Sequence, residues 1–173
     1  SAIKFGADAI WVYDEPWLIN SGFVGRHKWL WEHRGLKNEA GGRGYGWFSW
    51  KPFIIANALK HLSREGGGMV LFVDADTIPI ADFSVLFDLC PKERGHLAFM
   101  ATGREHALCS RQWCKRECFR CMGMDTEKYW HAPTAVARFM VFEYGRNLNN
   151  DATVVRFLQQ WQRHCLDTEC QTF

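Results

Sequence analysis

Short apolar runs alternate with longer stretches at helical spacing. That alternation predicts an α/β fold with a mostly parallel sheet flanked by helices. Two observations carry the prediction. Met69–Val73 and Ala135–Phe142 are compact apolar runs of strand length, rich in Val and Phe. Phe53, Ile54, Ala58 and Leu62, and later Val154, Val155, Leu158, Trp161 and Cys165, fall near the helical period. With 173 residues, 47% hydrophobic and 23% charged, the chain fits one domain with a real core, spanning 1–173.

The elements follow in order. Ala9–Tyr13, apolar between Asp8 and Asp14, reads as a short strand, and Gly22–Glu32 as a helix. Gly35–Gly46 hold five of the fifteen glycines and read as a loop. Ser49 is placed to cap the next helix, with Pro52 in its first turn, where a missing N–H does no harm. Gly66-Gly67-Gly68 end that helix. The strand Met69–Val73 follows, then a short helix over Ala81–Leu89 and a strand over Gly95–Ala101. Ser110–Met122 read as one helix, Ala135–Phe142 as a strong strand, and Asn150 as the cap of a final helix.

The most informative stretch is Val70-Leu71-Phe72-Val73-Asp74-Ala75-Asp76. A buried strand leaves the core and delivers two carboxylates spaced by one residue. On extended backbone their side chains share one side. Open α/β sheets bind ligands at the carboxyl ends of their strands. Two convergent oxygens suit a hard divalent cation that also needs phosphate oxygens. The plainer alternative is that one Asp caps a turn and the other is solvated.

A second constellation is Gly44-Tyr45-Gly46-Trp47-Phe48-Ser49-Trp50-Lys51-Pro52. The glycines let a ligand approach the backbone, and Lys51 lies in a first helical turn, where an anion is favoured. Arg43 would add charge. Alternatively, the segment is an aromatic plug with Lys51 in solvent. The Gly-x-Gly-x-x-Gly fingerprint is not met, which excludes a nicotinamide site. A third is Cys109, Cys114, Cys118 and Cys121, four of seven cysteines. Cys114, Cys118 and Cys121 share one helix face, and with Cys109 or with His106 they could make a four-ligand zinc site; disulfides or buried thiols are the alternatives. No nucleophilic triad order stands out around His106, His131 or His164.

The net charge of +2 gives no argument for a nucleic-acid partner. No apolar stretch approaches the roughly 20 residues of a membrane helix. There is no Asn-x-Ser/Thr acceptor. Nine Trp and thirteen Phe suit a thick core, a stacking surface or a large interface.

Ser1-Ala2 with Phe5-Gly6-Ala7-Asp8, Arg43-Gly44-Tyr45-Gly46-Trp47 with Trp50-Lys51-Pro52, Asp74-Ala75-Asp76 and Phe157-Leu158-x-x-Trp161 stand in one order along the chain. That order resembles GT-A-fold (Rossmann-like) nucleotide-diphospho-sugar glycosyltransferase-like domains. The resemblance implies a transferase moving sugar from a nucleotide-diphosphate sugar to a glycan or protein acceptor. It implies that Asp74 and Asp76 hold Mn²⁺ or Mg²⁺ against the donor diphosphate, with Asp74 facing the ribose or the metal. Arg43 and Lys51 are the diphosphate candidates by charge, and Tyr45 and Trp47 the stacking candidates. A secretory-pathway lumen such as the Golgi is the expected compartment for a eukaryotic chain, and the cytoplasm for a bacterial one. The chain departs from the family at both ends, as a truncated domain would: it starts after the usual base-binding strand and stops soon after the last helix. Asp125 and His131 are the weak candidates for a catalytic group, and the catalytic residue stays unassigned. The competing reading is a non-catalytic structural or interaction subunit on a degenerate form of the same fold, with a protein partner.

Overall fold

The computed structural model describes residues 2–29, 49–100, 110–145 and 148–167. Its first half is a short 3-10 turn, Ala2–Phe5, then helices α1 (Glu15–Asn20), α2 (Phe23–Arg26) and α3 (Lys51–Arg64). Strand β1 (Gly68–Val73) follows, then α4 (Ser84–Asp88) and β2 (His96–Met100). Three short helices, α5 (Ser110–Trp113), α6 (Arg116–Cys121) and α7 (Glu127–Trp130), lead into β3 (Ala135–Tyr144) and the long α8 (Leu148–Leu166).

The three strands form one sheet in the order β1-β3-β2, and both pairings are antiparallel. This corrects the expected mostly parallel, GT-A-like (Rossmann-like) sheet. The physical reason lies in β3. Strands β1 and β2 do run the same way, as an α/β alternation requires. The last strand then enters between them in the opposite direction and takes the hydrogen bonds that a parallel pair would have made. Helix predominates over strand among the described residues.

The register places Val70 opposite Phe142 and Phe72 opposite Met140. These four belong to the core, with Ile54, Ile55, Ala58 and Leu59 of α3 and Val154 and Leu158 of α8. Leu18 of α1 and Phe23 of α2 close its edge. Burial alternates along β1, as a strand with one face on the core requires. Val141 is fully buried on the opposite face.

Helix α3 and strand β1 are antiparallel neighbours joined by a tight turn. Gly66 and Gly67 take φ of +92° and +83°, the left-handed region in which glycine is favoured. A Cβ on Gly67 would lie 2.6 Å from the carbonyl carbon of Gly145, so the two backbones touch. The turn places the start of α3 beside the end of β1, and that juxtaposition builds the site.

Several local expectations change. Residues 9–13 are irregular, with Ile10, Trp11 and Val12 exposed, because no strand among the described residues pairs with them. Ser49 lies one position before the N-cap, Trp50, and is buried instead of capping. The helix expected over 110–122 breaks at Cys114 and Lys115, where Lys115 is extended with ψ of 151°. Asn150 lies inside the first turn of α8. The glycine loop over 35–46 lies outside the described residues.

Candidate functional site

Strand β1 ends at Val73, and the ladder continues one step further: Asp74 N–H donates to the Arg138 carbonyl at 3.0 Å. The chain then turns, with Thr77 N–H donating to the Asp74 carbonyl at 2.9 Å. Asp74 thus stands at the last rung of the ladder and Asp76 in the turn beyond it, so the pair does not share the extended backbone that the one-residue spacing suggested. They converge nonetheless. Arg138 Nε lies 3.7 Å from Asp74 Oδ2, and Arg138 Nη2 lies 3.7 Å from Asp76 Oδ2. A single cationic group thus sits within reach of both acids.

The other oxygen of Asp74 is fixed from the core side. Lys51 Nζ donates to Asp74 Oδ1 at 2.8 Å. Lys51 is only 4% exposed. Its ammonium also lies 5.4 Å from the Phe72 ring centre and 5.9 Å from that of Trp50, within cation–π range. The side chain expected either on an anion or in solvent is instead a buried partner of the first aspartate. Asp76 differs: its side chain is 67% exposed, against 20% for Asp74. The two acids have separate jobs in the fold, one anchored and one open.

The arrangement fits a divalent cation in one respect that the structure can test. Two hard oxygen donors, Asp74 Oδ2 and Asp76 Oδ2, each lie 3.7 Å from a nitrogen of the same guanidinium, that of Arg138. Among the described residues no group of three or more His, Cys, Asp or Glu is placed to hold a metal ion. A cation here would rest on two carboxylates and complete its shell with phosphate oxygens and water, as Mg²⁺ commonly does.

The sequence missed Arg138, which lies more than sixty residues from the acids and reaches them through strand register. One signal could have found it. It is the only charged residue from Ala135 to Phe142 in an otherwise apolar strand. Arg43, Tyr45 and Trp47 lie outside the described residues, as do His106 and Cys109.

Neither weak catalytic candidate joins this site. Asp125 accepts from Arg116 Nε at 3.2 Å, from Arg120 Nε at 3.2 Å and from Trp130 Nε1 at 2.9 Å. Desolvation pushes its carboxyl up, but the three donors outweigh it and hold it below the usual carboxylate range. A base so depressed and so occupied is a structural hub for α6 and α7. His131 closes α7, its N–H donating to the Glu127 carbonyl at 3.1 Å.

No helix among the described residues is long and apolar enough to cross a membrane. No protein-family model matches the chain, and no curated protein or solved structure matches it either, so its function has to be argued from these residues themselves.

Proposed function

We propose that the chain binds a nucleotide-diphosphate sugar through a Mn²⁺ or Mg²⁺ ion held by Asp74 and Asp76, and transfers the sugar to an acceptor. The convergence of both carboxylates on the Arg138 guanidinium is the observation that carries this reading. When bound, the cation supplies Lewis-acid neutralisation of the departing nucleoside diphosphate. Lys51 contributes by position. Its 2.8 Å bond fixes Asp74 Oδ1 and turns Oδ2 toward the shared point. Asp76 keeps most of its surface in solvent and is free to take a ligand from there.

Titration calorimetry with nucleoside diphosphates tests it. Binding is expected only with Mn²⁺ or Mg²⁺ present, and Asp76→Ala should abolish the metal-dependent part. Equal binding with and without metal, or none in either case, would sink the reading.

An interaction subunit is the second reading. Ile78 and Ile80, just past the acids, are 82% and 89% exposed, more than apolar side chains usually are. Sedimentation velocity separates the two. A monomer with metal-linked nucleotide binding supports the first; a stable assembly that binds no nucleotide supports the second.

A further inference from the structure

We propose that Arg138 is a diphosphate-binding residue of this site, bridging Asp74 and Asp76 only until a divalent cation takes their oxygens. The inference rests on the donor-site reading above and assigns a ligand-binding role to Arg138, which that reading uses only to mark where the two acids converge.

The two cations at the acids are held in different ways. Lys51 sits at 2.8 Å, a direct charge-assisted bond, on a side chain 5% exposed. Both Arg138 contacts are 3.7 Å, beyond the range of a directed hydrogen bond, and the Arg138 side chain is 67% exposed. An exposed ion pair at that distance contributes little and is readily exchanged. Lys51 is therefore a permanent fixture, and Arg138 a displaceable one.

Position makes the displacement useful. Arg138 is the cross-strand neighbour of Asp74, so the two side chains start from the same face of the sheet. A metal ion between the acids and a guanidinium at the same point repel each other. The long arginine stem lets its exposed head move outward into solvent, where it could meet the oxygens of a diphosphate bound with the metal. Its planar fork matches phosphate geometry in a way that a lysine does not. Metal alone must then displace a resident cation without recompense, whereas metal with diphosphate gives Arg138 a new partner. The two ligands should bind cooperatively, each raising the affinity of the other by the same factor.

The test uses the full chain, Mn²⁺ alone followed by electron paramagnetic resonance, and magnesium pyrophosphate followed by calorimetry. Removing the competing charge in Arg138→Gln should tighten Mn²⁺ alone by about three- to tenfold and weaken magnesium pyrophosphate by about tenfold. Arg138→Lys should keep Mn²⁺ affinity near wild type while losing part of the pyrophosphate affinity. Thermal melts of both variants should match wild type, since the side chain is exposed. Unchanged or weaker Mn²⁺ binding in Arg138→Gln overturns the competition, and unchanged pyrophosphate binding overturns the anion role. If Asp76→Ala removes Mn²⁺ binding while both Arg138 variants behave as wild type, this inference falls and the donor-site reading stands. If no variant and no wild type binds Mn²⁺ with or without pyrophosphate, both fall.

Discussion

Lys51 Nζ meets Asp74 Oδ1 at 2.8 Å across the joint between the start of α3 and the end of β1. The pair does two things. It closes the sheet edge against the helix, and it presents one aspartate oxygen to a point shared with Asp76. At the proposed site, folding and ligand binding would thus be coupled through Asp74 and separable at Asp76.

That separation is measurable. Asp74→Ala leaves the buried Lys51 ammonium without this carboxylate. Breaking a buried pair costs about 3–5 kcal/mol, and the partial exposure of Asp74 brings the expected loss to about 2–3 kcal/mol. Asp76→Ala removes a mostly exposed carboxylate with one loose contact, and should change stability by less than about 0.5 kcal/mol. Urea unfolding of both variants checks this. Equal losses would mean that Asp76 is also structural, and its binding defect could not be read as a ligand effect.

The far end of β1 gives a second prediction. Gly66 and Gly67 share a left-handed backbone, yet a Cβ on Gly66 meets nothing within 4 Å, while one on Gly67 meets backbone of Gly145 and Tyr144 at 2.6–2.7 Å. Gly66→Ala should therefore cost only the conformational penalty, about 1–2 kcal/mol. Gly67→Ala adds a backbone clash that forces the turn away from β3, and its loss should exceed that of Gly66→Ala by at least about 1 kcal/mol. Equal losses in denaturant titrations would show that the close approach is not maintained in solution.

These features differ in how far the sequence announced them. Burial and periodicity do show in composition, so β1, β3, α3 and α8 stand where the apolar patterns put them. Strand direction does not. An apolar strand reads the same in a parallel or an antiparallel pair when both faces are covered, as around Val141 and Phe142. The position of β3 between β1 and β2 depends on contacts far apart in sequence. Residues 9–13 failed for the opposite reason: they are apolar enough for a strand, but no strand among the described residues pairs with them. At the site, Asp74, Asp76 and Lys51 were legible because they stand at element ends, where polar residues interrupt apolar runs. The partnership between Lys51 and Asp74 was not, because it depends on the turn at Gly66 and Gly67 folding α3 back along β1.

Cys165, on the last turn of α8, gives a prediction that depends on pH. Burial pushes its thiol up to about 12, the neighbouring Cys118 adds to the rise, and a hydrogen bond with the Trp161 side chain pulls the other way. At pH 8 a thiol with that value is ionised in about one molecule in ten thousand, and the thiolate is the reactive form. Iodoacetamide at pH 8 should leave Cys165 unmodified in the native chain and label it after unfolding, as read by peptide mass spectrometry. The same shift has a consequence for stability. The native thiol releases its proton at higher pH than the unfolded one, whose ordinary value is 9.0. Its contribution is therefore fully present below pH 9 and is lost progressively as pH rises toward 12. Cys165→Val, compared with wild type in urea at pH 8 and pH 10.5, should lose less stability between the two conditions. A variant whose alkaline loss equals that of wild type would show that the partly buried thiol does not titrate above its ordinary range in the folded chain.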